Sequence, residues 1–454
     1  MKLALIGGGG VRAPLFVQSA LRRADALGLD ELCLMDLPES GLRTFGALAA
    51  ELARQQNSRT RITMTNDSRE ALVGADFVIT TIRPGGVDGR IADERIALDI
   101  GVLGQETTGA GGFAMALRSI PVILDYARQM AEYCPNAWLM NFTNPAGLVT
   151  QALHDEGFDK VIGICDSANG AQRALAKWFN VADQAIDADL FGLNHLSFTR
   201  RALLNGRDVL PEALADNDFL DTSAQRVFAH DVVRRQGMWL NEYLYYFYYA
   251  EKALQALQSG QTRGEEIKAL NDRLLPDLDA AGIGRDPARA LDVYFDYEHR
   301  RSAGYMAKAN QSGSQAAASA HPAADDGEGY AGVALGIIAA LAGGAPIRSG
   351  LNTRNNGAIS GLRDADVVEV TCRIDAAGVH PQPVGVMPQM QGALVQTIKT
   401  YERMTVSAIR ERNRALAVDA LVVHPLVQSY SRAQPLVERY LEAHAAFVGN
   451  WRRQ

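Results

Sequence analysis

A chain of 454 residues holds enough material for a large core and two or three domains, and its formal charge of −7 gives none of the general basic field that nucleic acid attracts. No apolar run reaches the roughly 18 residues that span a bilayer, and the N-terminus lacks the charged, apolar and small-residue order of a signal peptide, so a cytoplasmic protein with no membrane partner is expected. Four cysteines, Cys33, Cys134, Cys165 and Cys372, are too sparse for a disulfide scaffold, which leaves any special one as a ligand or nucleophile.

The first predicted element is the apolar strand 2–6, which runs directly into Gly7, Gly8, Gly9 and Gly10. Glycines there permit positive φ and leave their N–H groups bare toward a ligand. The following Val-Arg-Ala-Pro14-Leu-Phe-Val predicts a helix whose N-terminus points back at the turn, a geometry that binds a pyrophosphate. A second strand, 31–35, ends on Asp36, where a dinucleotide-binding domain places its ribose-binding carboxylate. Gly7 and Gly9 fit the first two positions of G-x-G-x-x-G, but Arg12 stands at the third, and Asp36 lies further on than the usual roughly 20 residues. A glycine turn without a ligand is the competing reading. If a dinucleotide binds, the acidic strand end selects NAD over NADP, because a 2′-phosphate is repelled.

Apolar strands then recur at 60–64, 76–82, 137–141 and 160–164, most separated by helical periodicity, which predicts an α/β fold built on a doubly wound parallel sheet. Ligands gather at the carboxyl ends of such strands. Strand 76–82 is followed by Arg83-Pro-Gly-Gly-Val-Asp-Gly-Arg90 and then Gly104-Gln-Glu-Thr-Thr-Gly-Ala-Gly-Gly112, a polar crossover predicted as a functional or disordered loop. Strand 137–141 leads into Asn141-Phe-Thr-Asn144-Pro145, and strand 160–164 into Cys165-Asp166-Ser167. Asn144 reads equally as a turn asparagine before proline, and Cys165 as a small buried hydrophobe. Their place at strand ends on the ligand side makes both candidates for a site.

His195 sits in the apolar run Phe191-Gly-Leu-Asn194-His195-Leu-Ser197-Phe198. Alone it reads as a core histidine; with Cys165 it forms a thiolate and imidazole pair suited to a borderline divalent metal with positions left for substrate oxygens. Next comes Tyr243-Leu-Tyr-Tyr246-Phe-Tyr-Tyr249, five tyrosines in seven residues, most of which read as a packed aromatic helix face. Tyr243 and Tyr246 share a face at i, i+3 spacing. Near a bound cation such a phenol loses its proton more readily and can serve as a base.

GGGG-V-R-A-P at 7–14, IRPGG at 82–86, GQETTGAGGF at 104–113, NFTNPAG at 141–147, GICD at 163–166, GLNHLSF at 192–198, YLYYFYY at 243–249 and NTRNNG at 352–357 follow one another in order. Together they resemble glycoside hydrolase family 4, most of all its 6-phospho-β-glucosidase branch. The resemblance implies an exception to the two-carboxylate glycosidases: NAD oxidises the sugar at carbon 3, a tyrosinate removes the hydrogen at carbon 2 acidified by a ketone on a divalent metal, typically manganese, the aglycone leaves by elimination, water adds, and NADH returns its hydride. By position it implies Cys165 and His195 as metal ligands, Tyr243 as base and Asn144 as a contact to the sugar; Tyr246, on the same face, is the next candidate base, and Asn194 a further candidate for substrate binding. A 6-phosphate would meet Arg83, Arg90 and Arg300 or Arg301.

The chain departs from the family pattern in two places. Asp166 follows the metal cysteine where the β branch usually carries asparagine; it is what the 6-phospho-α-glucosidase branch has, assigned there as an acid. The family's Arg-Gly-Gly-x-Tyr-Tyr-Ser block is best matched by Asp326-Gly-Glu-Gly-Tyr330, and the acidic Asp325-Asp326-Gly-Glu328 opposes a phosphate. Alternatives are therefore a neutral or uronic-acid glycoside, a plain 2-hydroxyacid dehydrogenase and a non-catalytic NAD sensor. For architecture, the expectation is a Rossmann domain over 1–165 and a larger α/β domain over 166–454 resembling the C-terminal domain of lactate and malate dehydrogenases, with a mobile insertion near 300–326. The two domains share a crevice, and the assembly expected is a homodimer or homotetramer.

Overall fold

Residues 1–37, 39–304, 306 and 329–451 are described by a computed structural model. The six predicted strands form, as β1 (Lys2–Ile6), β2 (Glu31–Met35), β3 (Arg61–Thr65), β4 (Phe77–Thr80), β5 (Trp138–Asn141) and β6 (Val161–Gly163). Every neighbouring pair among them is parallel, in the order β3-β2-β1-β4-β5-β6, which is the order of a doubly wound dinucleotide-binding sheet. Its central strands are apolar on both faces, with Leu3, Ala4, Ile6, Val78 and Ile79 fully buried, because helices cover both sides.

A second, antiparallel sheet follows, made of β7 (Ile186–Leu193), β8 (Leu196–Leu204), β9 (Arg207–Asp208) and β10 (Trp239–Leu240), in the order β10-β8-β7 with β9 on β8. The chain then returns to the first sheet. β11 (Ile347–Arg354), β12 (Val367–Asp375) and β13 (Gly378–Pro381) extend it beyond β6 to nine strands, all three antiparallel, joined where Asn352 registers with Gly163. Residues far past 165 thus complete the sheet that the first 165 begin.

Two local expectations are corrected. The polar crossover after β4 is largely helical, as Gly86–Asp99 and Gly109–Tyr133. Its glycines, read as loop residues, relieve crowding: a methyl group on Gly111 would collide with the Gln105 carbonyl, and one on Gly112 with that of Thr107. The tyrosine segment is not one helix. A 3-10 turn, Glu242–Leu244, leads into the short helix Tyr245–Tyr248, and Tyr243 and Tyr246 keep ring centroids 6.0 Å apart across the junction. Of the insertion expected near 300–326, the first residues end the helix Pro287–Ala303, and 307–326 lie outside the described residues.

Candidate active site

The glycine turn joins β1 to the helix Ala13–Arg22. Gly7 takes φ +101, and a Cβ there would meet the Thr81 hydroxyl at 2.7 Å, so no other residue fits. The expectation of bare N–H groups is corrected. Gly7 and Gly8 donate to the Met35 carbonyl at 2.8 and 2.9 Å, Gly10 to that of Gly7 at 3.0 Å, and Gly9 to Asp36 Oδ2 at 3.1 Å. The turn doubles back so tightly on the end of β2 that its own backbone groups find partners there. What it offers a ligand is a surface without side chains at the partly exposed Gly9 and Gly10, beside a helix start that no side chain caps. The other oxygen of Asp36 accepts from Leu37 N at 2.9 Å. Burial pushes its carboxyl above the ordinary value, against the two backbone bonds that lower it.

β7 and β8 form a hairpin closed by only two residues, Asn194 and His195, between the paired Leu193 and Leu196. His195 takes φ +62, a strained region for a residue with a Cβ that is held only where surroundings over-determine it. Three contacts do so. His195 Nε2 lies 3.2 Å from Cys165 Sγ, Nδ1 lies 2.8 Å from Thr107 Oγ1, and the ring stacks on Tyr243 at 3.7 Å and 3°. Cys165 stands just past β6, at the start of the 3-10 turn Asp166–Asn169. Burial pushes the Cys165 thiol up to about 12, with Glu369 adding to it, and pushes His195 down to about 3. The pair is therefore a neutral thiol and a neutral imidazole, not an ion pair.

Such a pair could hold a divalent cation. At 3.2 Å apart, Cys165 Sγ and His195 Nε2 are close enough to be ligands of one cation. Held by a cation, Cys165 would serve as the thiolate. Among the described residues no cluster of three or more His, Cys, Asp and Glu side chains converges, so this donor set leaves coordination positions for substrate oxygens. Asp166 Oδ1 next door is buried without a hydrogen-bond partner among the described residues. Asn144, between β5 and the helix Ala146–Asp155, is half-buried at the same sheet edge.

A polar network behind the pair escaped the sequence reading. Glu369, fully buried on β12, accepts from Ser197 Oγ at 2.7 Å, Asn352 Nδ2 at 3.0 Å and Asn194 Nδ2 at 3.2 Å. Burial pushes its carboxyl up to about 7, against those three bonds. Asn241 Nδ2 donates to both Ser197 Oγ and Ser167 Oγ, while its Oδ1 accepts from Tyr243 N at 3.0 Å. One chain of bonds thus links the histidine turn, the cysteine turn and the tyrosine turn. Asn194, expected to touch the sugar, spends one amide hydrogen on Glu369. The available signal was a lone carboxylate inside the apolar run Val367-Val-Glu369-Val, which a strand buries only with partners.

Arg83 and Arg90 converge, as expected of an anion site, but on Glu106, to which both are ion-paired; Arg90 Nε also reaches Glu94 at 2.8 Å. Burial and then the neighbouring Arg90, Arg301 and Arg118 lower Arg83 to about 9, so it stays charged at neutral pH. Of the other two candidates, Arg301 donates to Tyr297 OH at 2.9 Å and sits near Arg83, whereas Arg300 is exposed and paired with Asp296. The acidic Asp325-Asp326-Gly-Glu328 lies outside the described residues.

Comparison with known proteins gives one consistent result. Residues 2–181 match the family 4 glycosyl hydrolases and residues 190–427 the C-terminal domain of that family. The chain is similar to the probable 6-phospho-beta-glucosidase of Bacillus subtilis (strain 168), 33% identical over 461 residues, covering 99% of this chain and 97% of that one. It is 30% identical over 470 residues to the 6-phospho-beta-glucosidase of Escherichia coli (strain K12), covering 99% and 97%. In three dimensions it is similar to the 6-phospho-beta glucosidase from Thermotoga maritima solved with manganese, NAD+ and glucose-6-phosphate, with a TM-score of 0.82 and 27% identity over 98% of this chain and 99% of that one. The chain belongs to family 4 of the glycosyl hydrolases.

Proposed function

We propose that this enzyme hydrolyses 6-phosphoglucosides with the aid of NAD and a divalent cation, manganese in the first instance. One observation carries the reading: Cys165 Sγ and His195 Nε2 meet at 3.2 Å with the Tyr243 ring against the imidazole. The relatives' names support the substrate, and the Thermotoga complex supports the two cofactors. Bound NAD supplies reversible hydride transfer at carbon 3 of the sugar, and a bound cation supplies polarisation of the sugar oxygens. The chain does the rest. Gly9, Gly10 and Asp36, beside the buried Gly7, hold the dinucleotide; Tyr243 Oη takes the proton from carbon 2; Asp166 is the acid for the departing aglycone oxygen; and Asn144 orients the sugar hydroxyls. Arg83, Arg90 and Arg301 take the 6-phosphate once Glu106 gives way.

Asp36→Ala is expected to weaken NAD by about 10–100-fold, the worth of a hydrogen bond to a charged group, and to narrow the preference over NADP. Titration of the apo-protein with both dinucleotides checks it, and equal wild-type affinities would remove Asp36 from this role. A specific observation also favours a second substrate class: Glu106 and Glu94 already neutralise the arginines, which suits a neutral glycoside. A panel of p-nitrophenyl α- and β-glucosides, with and without the 6-phosphate, plus a uronide, is expected to turn over the phosphorylated β-glucoside best. Cleavage of the neutral or uronide compounds alone would transfer the assignment to the second class. NADH that accumulates in bulk would indicate a dehydrogenase instead.

The working assembly is a homodimer or homotetramer in the cytoplasm. Exposed Val386 and Met390 beside Pro388 support association, and four unpaired cysteines suit a reducing compartment. Among the described residues no helix is long and apolar enough to cross a membrane.

A further inference from the structure

We infer that Gln105 and Thr107 fix the tautomer of His195, holding its ring proton on Nδ1 and its Nε2 lone pair toward Cys165, and thereby set the affinity of the site for a divalent cation. The inference rests on the metal reading above and adds two positioning residues to it.

The argument is one of donors and acceptors. Thr107 N–H can only donate, and it lies 2.7 Å from Gln105 Oε1, which identifies that end of the amide as the oxygen. The same oxygen lies 3.1 Å from Thr107 Oγ1, and an amide oxygen can only accept, so the single hydroxyl proton of Thr107 is committed there. At its 2.8 Å contact with His195 Nδ1 the hydroxyl oxygen must then accept. The proton of that bond belongs to Nδ1. A neutral ring protonated at Nδ1 presents a lone pair at Nε2, the atom 3.2 Å from Cys165 Sγ. The opposite tautomer would place a proton where the cation has to sit.

The loop that imposes this is itself held. Gly111 and Gly112, at the start of the helix Gly109–Tyr133, let the Gln105 and Thr107 carbonyls press directly on the helix, since a methyl group on either would collide with them. Tyr243 fixes the ring plane from its face at 3.7 Å. Partners that orient a metal-bound histidine in this way are each worth about 10–100-fold in metal affinity.

Full-length protein stripped by a chelator and titrated with Mn2+, with free ion followed by its electron paramagnetic resonance signal, tests the inference. Thr107→Val keeps the shape and removes the acceptor, so Mn2+ is expected to bind about 10–100-fold more weakly. Thr107→Ser restores the acceptor and is expected to stay within about threefold of wild type, since the orienting bond is kept. Gln105→Leu leaves Thr107 in place but frees its proton for Nδ1, and about a tenfold loss is expected. In protein labelled with 15N-histidine, the ring of His195 is expected to give a protonated Nδ1 and an unprotonated Nε2, and to lose that signature in Thr107→Val. His195→Ala separates the two layers. If it binds Mn2+ like wild type, the metal reading fails. If it loses Mn2+ while Thr107→Val and Gln105→Leu bind normally, the metal reading stands and the tautomer inference is overturned.

Discussion

Tyr243→Phe is expected to lower turnover by about 10²–10⁴-fold, the usual worth of a positioned general base, with NAD and manganese binding unchanged. The substitution is clean because the phenyl ring keeps its stack on His195, 3.7 Å away and 3° from parallel, and loses only the hydroxyl. The direct measurement is isotopic. An elimination route exchanges the carbon 2 hydrogen with solvent, so wild-type turnover in deuterated water should label the product there, and no ordinary two-carboxylate glycosidase does so. Product without label from the wild-type enzyme would refute the mechanism. Tyr246→Phe is the control, expected to leave exchange intact. The Tyr246 hydroxyl is turned to Met306 Sδ at 3.6 Å, and burial pushes its pKa up, both unfavourable to a base. If Tyr246→Phe abolishes exchange while Tyr243→Phe does not, the base is the other phenol.

How much of this was legible in the sequence depended on whether a residue's role is local. The inner strands of the first sheet showed as short apolar runs because a parallel sheet buries both faces, and the pairing of Cys165, just past a strand end, with His195, inside an apolar run, followed from the ligand chemistry of a thiolate and an imidazole. Glycine was ambiguous for a physical reason: it marks a turn, a ligand approach or a crowded helix contact with the same letter. Gly111 and Gly112 are the third kind, which is why a helix was read as a loop. The N–H groups of Gly7 to Gly10 were likewise expected to await a phosphate, whereas the β2 end, Asp36 and, for Gly10, the Gly7 carbonyl accept them.

Long-range partners were out of reach. Glu369 meets Asn194 and Ser197 across 175 and 172 residues of sequence, and no spacing rule connects a β12 carboxylate to a hairpin turn. The return of β11 to β13 to the first sheet has the same origin. Nothing in the run Ile347–Arg354 says that it pairs with β6. Glu106 was hidden differently, inside a motif whose flanking Gly and Thr residues drew the attention, and only the ion pairs reveal it as the common partner of Arg83 and Arg90.

Cys165→Ser is expected to weaken manganese by more than about 100-fold, because a direct ligand should exceed the 10–100-fold that outer partners contribute, and turnover is expected to fall to background. Serine keeps the size and the contact toward Ser167, which the thiol now meets at 3.2 Å, so the fold and the NAD site should persist. A hydroxyl, however, gives up its proton far less readily than a thiol. In a site whose burial already pushes the Cys165 thiol up to about 12 without a cation, only a strong metal bond recovers the anionic ligand, and oxygen at this position cannot. The companion measurement is chelation: wild-type activity should vanish with chelator and return with Mn2+, and a reductant should preserve it, since the thiolate ligand is the group exposed to oxidation. Retention of metal-dependent turnover by Cys165→Ser would remove Cys165 from the ligand set. The carboxylate of Asp166, buried beside it with Oδ1 lacking a partner among the described residues, would then be the donor to test, through Asp166→Asn and the same Mn2+ titration.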